Sequence, residues 1–446
     1  MRRIRHRRTL VGAALLAAVA ALGIGAAARS PAEPTTVVIG LGQPVAWTDM
    51  VVDAGRHLAY IPSIAASDRR RRSRITVVDT LRRVLVRRIA MGTGIPTVAL
   101  DRAHGRVVVA DETGPDSGIV RLLDGSSGTV VRSASARVAP VGIAVDGRVG
   151  RVFVVGQGRC RTLPRAVAHA CRAGSGVVDI LDAHTLRPVG AAAVGGYPRH
   201  IVADEPDDHV FVSSPSGVTM LDARGGRVLR TFGTAIGIIA VDTITRRVFV
   251  EDNTWTVRLL DARSGRFVGA VPGTYLNAMG PASAAAIDEH SGNLIIKDDG
   301  RLNPNAPMST VSIVDGRTGH LLHTLTLGAP PAAVAVDAAN GQAFVVVARE
   351  GDDGIRVVDM RSGRVVRTIQ AVPPALSLAV DDRAGRLLVT SAVAPGADRP
   401  DPWAWIPVGL RSRLPSWLPV ALPPPAPATP PWLPRAGSVG VVDLTR

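Results

Sequence analysis

The sequence predicts an all-β protein, a single β-propeller of eight four-stranded blades, with seven blades as the alternative. Three observations predict it: two aspartate-ended phrases recur, they alternate strictly, and short polar turns separate the apolar runs around them. The first phrase, an apolar triplet followed by aspartate, ends at Asp53, Asp101, Asp146, Asp204, Asp242, Asp288, Asp337 and Asp381. The second phrase ends at Asp79, Asp124, Asp182, Asp222, Asp261, Asp315, Asp359 and Asp443.

Each repeat is predicted to contain four short strands, A to D, rich in valine, isoleucine and leucine. Segments such as GRVVVA and VRLLDGSSGTVVR show the pattern. Aspartate at a strand end accepts backbone N–H groups of the following turn, and glycine a few residues later adopts a positive φ. Successive copies of the first phrase lie 38 to 58 residues apart, which favours propeller blades over a β-sandwich.

The last repeat predicts how the ring closes. It stops at VVDLTR, residues 441–446, and therefore lacks its fourth strand. Residues 35–42, TTVVIGLG, resemble HTLTLGAPP, residues 323–331, which holds the fourth strand of an earlier repeat. We therefore expect the N-terminal strand to complete the last blade and leave no open edge. The blade strands are predicted to occupy about residues 35–393 and 437–446.

Composition excludes several classes of protein. The chain has 446 residues, and its 46% apolar content excludes a wholly disordered chain. Two cysteines are too few for a cysteine-dense scaffold or a multi-cysteine zinc module. The net charge of +15 is spread along the chain and comes almost entirely from arginine, since Lys297 is the only lysine. A diffuse positive field selects no partner by itself.

The N-terminus carries a targeting signal. MRRIRHRR is followed by nineteen uncharged residues, 10–28, which end in three alanines. The basic flank stays in the cytoplasm, so the rest of the chain is expected to be extracytoplasmic. Residues 1–28 are either a cleaved signal peptide or a retained signal anchor, because the run is just long enough to span a bilayer. The protein is thus expected to be secreted, or associated with the membrane through residues 10–28.

The repeats resemble the YVTN-type propeller-repeat family, which includes exported YncE-like proteins. The resemblance covers nearly all of residues 35–446, in units such as VFVSSPSGVTMLDARGGRVLRTFG. Phe211 stands where the family has tyrosine, and the asparagine of the family motif is absent there. The resemblance implies the propeller fold strongly and function weakly, because the family includes binding, surface and enzyme-associated members.

Function is expected on the face that carries the B–C and D–A connections, because these vary in length while the A–B and C–D connections stay short. Residues 195–200, GGYPRH, lead into strand A of the fourth repeat, which lines the central channel of a propeller. Tyr197, Arg199 and His200 are therefore candidate ligand-binding residues. The alternative is a packed or hydrated histidine with a structural role.

Two B–C connections carry further candidates. The first contains the arginines Arg69, Arg70, Arg71, Arg72 and Arg74, which form either an anion-binding site or a solvated loop. An anionic polymer or lipid surface is the partner that such a cluster would bind. The third repeat carries Cys160 and Cys171, which we expect to form a disulfide in an exported protein.

A Pro/Trp-rich insertion occupies residues 394–436 of the last blade. It holds 13 of the 33 prolines and four of the six tryptophans, Trp403, Trp405, Trp417 and Trp432. Proline excludes a membrane-spanning helix and favours extended polyproline-like segments. The tryptophans are candidate docking residues for a protein or envelope partner, and the alternative is a loop that folds back over the propeller.

No catalytic signature is present, since the sequence lacks a G-x-S-x-G elbow, a phosphate loop and an H-E-x-x-H motif. The main hypothesis is a non-catalytic, exported propeller that binds a protein partner or ligand through its long loops. One alternative is a lactonase-like hydrolase or an oxidoreductase subunit with a divalent ion, and another is an envelope polyanion-binding protein. No cofactor is predicted, although Glu251–Thr254 and Lys297–Gly300 offer carboxylates for calcium.

Overall fold

The computed structural model describes residues 36–41, 50–64, 73–114, 117–157, 176–233, 235–252, 254, 256–275, 285–298, 310–347, 354–370, 375–391 and 438–444. These residues form eight antiparallel four-stranded sheets and one short 3-10 helix. Each sheet is one propeller blade, and its strands follow the A to D order of the sequence repeat.

The first four blades take their strands consecutively from the chain. Blade 1 contains β2 (Val51–Asp53), β3 (Leu58–Ile64), β4 (Ser73–Asp79) and β5 (Val84–Ala90). Blade 2 contains β6 (Thr97–Asp101), β7 (Arg106–Gly114), β8 (Ser117–Asp124) and β9 (Val130–Ala136). Blade 3 contains β10 (Ala139–Asp146), β11 (Arg151–Gln157), β12 (Gly176–Asp182) and β13 (Pro188–Val194). Blade 4 contains β14 (His200–Asp204), the 3-10 helix Glu205–Asp207, β15 (His209–Ser214), β16 (Gly217–Asp222) and β17 (Val228–Phe232).

The next three blades are also consecutive, and the eighth combines both ends of the chain. Blade 5 contains β18 (Ala235–Asp242), β19 (Arg247–Asp252), β20 (Thr256–Asp261) and β21 (Phe267–Tyr275). Blade 6 contains β22 (Ala285–Asp288), β23 (Asn293–Asp298), β24 (Thr310–Asp315) and β25 (Leu321–Thr326). Blade 7 contains β26 (Pro331–Asp337), β27 (Gln342–Val347), β28 (Gly354–Asp359) and β29 (Arg364–Gln370). Blade 8 contains β30 (Ala375–Asp381), β31 (Arg386–Ser391), β32 (Ser438–Asp443) and β1 (Thr36–Gly40).

The ring closes as the sequence predicted. β1 pairs antiparallel with β32, from Thr36 opposite Val442 to Gly40 opposite Ser438, and supplies the outer strand of blade 8. The eight A strands also contact one another in a closed cycle, in which β30 meets β2. Both observations confirm eight blades and an N-terminal strand that completes the last one.

The core lies between successive blades and is built mainly from strands B and C. Strand B carries a large aromatic residue at the same repeat position in five blades, namely Tyr60, Phe153, Phe211, Phe249 and Phe344. All five are fully buried, and each belongs to a cluster that includes strand-B residues of the next blade. Because apolar burial is the main favourable term in folding, these residues link the blades into one unit.

The turns that follow strands A and C share one design. The repeat aspartate ends the strand, and the residue four positions later has a positive φ. In the eight A–B turns this residue is glycine five times and His57, Asp208 or Arg246 in the other three. Non-glycine residues pay a steric cost in this conformation, so these three positions carry local backbone strain.

Candidate functional site

The two faces of the propeller differ in the lengths of their connections. Every A–B turn contains four residues, and the C–D turns contain four or five. The B–C connections range from two residues, at 115–116 and 215–216, to the 46 residues of 392–437. B–C and D–A connections share a face because neighbouring strands run antiparallel. We call it the long-loop face, and we call the opposite side the short-turn face.

His200 is the first residue of β14 and lies where this inner strand leaves the long-loop face. The side chain is half-buried, and its Nδ1 lies 3.5 Å from the hydroxyl oxygen of Ser213 on the paired strand. Burial lowers the pKa of His200, and the positive charge of Arg199 lowers it further. The imidazole is therefore neutral near pH 7 and can accept or donate a hydrogen bond.

Tyr197 and Arg199 lie in the D–A connection that precedes His200. Tyr197 has a φ of 56°, which is an unusual conformation for an aromatic residue. The loop passes close to blade 4, because a Cβ atom at Gly195 would collide with the hydroxyls of Ser214 and Ser216. The structure thus places Tyr197 and Arg199 in the connection and His200 at the start of the strand that follows it. They offer a phenol, a guanidinium and a neutral imidazole, which suits recognition of a polar or anionic group.

The arrangement around His200 lacks the geometry of a nucleophilic triad. A working nucleophile and its base lie about 2.6–3.2 Å apart, and a third group orients the base. The Ser213–His200 separation of 3.5 Å exceeds this range. Within the part of the chain that the structure describes, no carboxylate is hydrogen-bonded to the imidazole.

Two buried carboxylates on the long-loop side hold D–A connections in place through hydrogen bonds. Neither role was predicted from the sequence. Asp111 of β7 accepts hydrogen bonds from the hydroxyl of Ser73 at 2.9 Å, from the backbone N–H of Gly94 at 3.1 Å and from the backbone N–H of Gly92. Asp179 of β12 accepts from both the backbone N–H and the guanidinium of Arg137. The available signal was an aspartate that interrupts an otherwise apolar strand, in VVVADE and GVVDIL.

The B–C connection of blade 2 contains only residues 115–116, since β7 extends to Gly114 and β8 begins at Ser117. Asp111 has its partners in β4 and in the D–A connection that follows blade 1, and the pairing of β7 with β8 continues beyond it.

Most of the other predicted residues lie outside the described residues. They are Arg69, Arg70, Arg71, Arg72, Cys160, Cys171, Trp403, Trp405, Trp417 and Trp432, together with residues 1–28 and 394–436. Arg74 is described: it lies in β4, where it is half-buried and pairs with Ser63 and Ala90. The anion-binding, disulfide and docking predictions therefore remain predictions.

The structure describes only part of each segment that was suggested for calcium binding. Both carboxylate oxygens of Asp252 already have protein donors, Oδ1 from Thr254 and Thr256 and Oδ2 from Arg258. Lys297 donates to the carbonyl oxygen of Ala332 at 2.9 Å. Among the described residues, no three acidic, histidine or cysteine side chains converge as metal ligands.

An acidic cluster on the short-turn face was also missed. The A–B turn of blade 4 reads EPDD, and it follows Asp204, whose side chain is completely buried. Neither carboxylate oxygen of Asp204 has a hydrogen-bond partner, and the nearby Asp146 has one such oxygen. In sequence, Asp146 and Asp204 look like the other fourteen repeat aspartates, so nothing distinguished them there.

No helix of the described residues is long and apolar enough to span a bilayer. Comparison with protein-family models found no match, and comparison with curated proteins found none either.

Solved structures with a similar fold are numerous. The chain is similar to BamB from Moraxella catarrhalis, with a TM-score of 0.52 and 16% identity over 80% of this chain and 97% of that one. It is similar to the dihydro-heme d1 dehydrogenase NirN, with a TM-score of 0.54 and 15% identity over 80% and 73% of the two chains. A europium-containing methanol dehydrogenase gives a TM-score of 0.54 and 13% identity, with 92% of each chain covered. Two of these names state an enzymatic activity and one does not, so at this identity the likeness shows an eight-bladed propeller and leaves the function open.

Proposed function

We propose that this chain is an exported, non-catalytic β-propeller that binds a protein partner or ligand through its long-loop face. One observation carries the proposal: connection length varies from two to 46 residues among the B–C connections, whereas every A–B turn has four. Recognition residues in many folds lie on variable loops that a rigid scaffold positions. A ring of eight blades joined by continuous apolar interfaces is such a scaffold.

The described part of this face supports binding more than catalysis. Asp111 and Asp179 fix two D–A connections through charged hydrogen bonds, and preorganised loops lose less entropy when a ligand binds. Tyr197, Arg199 and His200 add polar groups beside the inner strand of blade 4. The proposed place of action is outside the cytoplasm, as the N-terminal segment and the resemblance to YVTN-type repeats indicate.

The first test is site-specific crosslinking in the cell envelope. A photo-crosslinking residue at Tyr197 probes the long-loop face, and the same residue at Glu289, exposed in the A–B turn of blade 6, probes the short-turn face. We expect a discrete crosslinked product from position 197 and none from position 289. Equal products from both positions, or products from position 289 alone, would overturn the proposal.

A loop-exchange variant tests whether the last B–C connection contributes. In blade 8, Ser391 lies opposite Ser438, just as Ser214 lies opposite Gly217 in blade 4, where two residues connect the strands. Residues 392–438 can therefore be replaced by the Pro-Ser-Gly of blade 4, whose Gly217 has a φ of 131°, while the strand register is kept. We expect an unchanged fold by circular dichroism and loss of the crosslinked product. A product of unchanged yield would show that partner docking does not use this connection.

A hydrolytic function is the second candidate, because Ser213 and a neutral His200 lie side by side at the rim of the inner strand. In that case His200→Ala would abolish lactone or ester hydrolysis by the purified protein, with Ser216→Ala as the matched control. The binding proposal expects no hydrolysis above buffer in the wild type.

The polyanion alternative predicts that the wild type binds heparin with an affinity that falls steeply with salt concentration, because arginines would contact the polyanion. A variant in which Pro-Ser replaces residues 65–72 should then lose this binding.

A further inference from the structure

Asp204 is an exception among the eight aspartates that end the A strands. The other seven each accept a backbone N–H from the second or third residue of the following turn, namely Asp53, Asp101, Asp146, Asp242, Asp288, Asp337 and Asp381. Asp204 accepts none, although its side chain is completely buried. A buried carboxylate without donors is costly when it is charged.

The turn of blade 4 explains the missing donors. Its second residue is Pro206, which has no N–H to give, and the segment Glu205–Asp207 forms the only 3-10 helix of the described residues. Asp204 precedes this helix with φ −104° and ψ 87°, and its side chain makes no capping hydrogen bond. The repeat thus retains its aspartate at the one place where its usual partners are absent.

The residues around Asp204 add negative charge, and the nearby arginines donate to other carboxylates. Arg246 and Arg263 both donate to Oδ1 of Asp207, and Arg224 donates to Oδ2 of Asp208 at 2.7 Å. Ionisable groups face this junction from blades 3, 4 and 5: Asp146, Arg148, Glu205, Asp207, Asp208, His209, Arg224, Arg246 and Arg263. Asp242, at the end of the neighbouring inner strand, is satisfied by its own turn.

A proton satisfies this carboxylate better than a metal ion does. Among the described residues no three potential ligands converge, so the acids here do not form a coordination shell. Burial, with the negative charges of Asp207 and Asp146, raises the pKa of Asp204 to about 6 against the opposing positive charge of Arg246. Burial also raises the pKa of Asp146, where Glu205 and Asp208 act in the same direction.

We propose that in mildly acidic solution the folded propeller holds Asp204 as a neutral carboxylic acid. The junction of blades 3, 4 and 5 is then a proton-binding site, and the junction loses stability as the pH rises and the proton leaves. The direction follows from linkage. An ordinary aspartate titrates near pH 3.9, so the folded chain binds a proton that the unfolded chain has already released at pH 5. With a folded-state pKa of about 6, the folding equilibrium constant falls about tenfold between pH 5 and pH 8 through this group alone. The junction is therefore favoured in mildly acidic surroundings.

The test compares Asp204→Asn with Asp242→Asn by denaturant unfolding at pH 5 and at pH 8. Asparagine has the shape of the protonated acid, so Asp204→Asn is expected to match the wild type at pH 5 and to have about a tenfold larger folding constant at pH 8. Asp242 has three donors in its own turn, so Asp242→Asn is expected to lose stability at both pH values. Equal destabilisation by Asp204→Asn at both pH values would overturn the proposal.

Two further measurements keep the proposal falsifiable if Asp204→Asn fails to fold. Pro206→Ala restores a backbone N–H at the second turn residue and is expected to reduce the loss of stability between pH 5 and pH 8. Infrared difference spectra of the wild type should show a protonated carboxyl stretch at pH 5 that disappears by pH 8. Absence of that band overturns the proposal. The proposal also fails if calcium chloride stabilises the wild type at pH 8 and does not stabilise Asp204→Asn, because a metal ion would then occupy the site.

Discussion

The Nδ1 atom of His57 lies 3.0 Å from Oδ2 of Asp381, across the junction between the first and last blades. The same carboxylate oxygen accepts a hydrogen bond from the hydroxyl of Thr80, and Oδ1 accepts from the N–H of Ala384. Asp381 and Thr80 are both completely buried. The ring is thus held at its outer edge by β1 and β32, and near its axis by this side-chain contact.

Removal of this contact should weaken ring closure more than removal of an ordinary turn aspartate. We expect Asp381→Ala to cost about 3 kcal/mol, because it leaves the buried Thr80 hydroxyl without its acceptor and breaks the contact with His57. The control is Asp337→Ala in blade 7, whose carboxylate accepts from Asn340 of its own turn, with an expected cost of about 1–2 kcal/mol. Urea unfolding measures both, and equal losses would contradict the prediction.

Substitution of Gly341 measures the free-energy cost of the positive-φ turn conformation without a steric clash. It has a φ of 61° in the A–B turn of blade 7, and no atom lies within 4 Å of the place where a Cβ would be. Gly341→Ala should therefore destabilise the fold by about 1–2 kcal/mol through backbone strain alone. The matched control is Gly40→Ala in β1, where the space is equally open and φ is not positive. That variant should be neutral or slightly stabilising, and a comparable loss there would show that strain is not the cause.

Asp111 should control the rigidity of one connection of the long-loop face. We expect Asp111→Ala to accelerate amide hydrogen exchange in residues 91–96 about tenfold, because each charged hydrogen bond lost is worth about 1.5 kcal/mol or more. Asp179→Ala in blade 3 is the control, since its partner is Arg137 and the exchange of residues 91–96 should stay unchanged. Mass spectrometry of peptic fragments resolves the two regions. Equal acceleration by both variants would indicate global loosening instead.

The aspartates that end the C strands should set the acid limit of stability. Hydrogen bonds from the hydroxyl and the backbone N–H of Ser362 lower the pKa of Asp359, and Ser126 and Ser127 lower that of Asp124 in the same way. Groups with a lowered folded-state pKa contribute stability above about pH 4 that is lost as the pH falls through the folded-state pKa. Asp359→Asn should therefore be less stable than the wild type at pH 7, and the difference should shrink as the pH falls below about 4. Thermal unfolding across this range tests the prediction, which fails if the difference is independent of pH.

The fold could be predicted almost completely because each repeat carries its own local signals. The Asp-turn-glycine pattern and the β-branched runs mark the A–B and C–D hairpins, and Thr36–Gly40 was recognisable as the missing outer strand of the last blade. These are short-range properties of backbone conformation and apolar patterning, which a single sequence shows directly.

The candidate site could be predicted only in part because it depends on contacts between distant residues. The position of His200 at the start of an inner strand was predictable from the repeat pattern. The link from Asp111 to Ser73 joins neighbouring blades, and no local pattern reveals it. Asp204 looked like its seven counterparts in sequence, and only Pro206 marked the loss of its donors.

The pairing of Thr36 with Val442 also bears on how the molecule is made. β1 is synthesised before the other seven blades and its partner β32 after them, so it cannot pair until all of them have been made. Until then β31 lacks its neighbour, and any chain that stops before β32 presents that strand as an open edge for other chains. Synthesis of β32 therefore acts as a checkpoint for assembly. Since β1 and β32 lie side by side in one sheet, a permuted gene that starts at a D–A connection, so that every blade is built from consecutive strands, should encode the same ring without that delay.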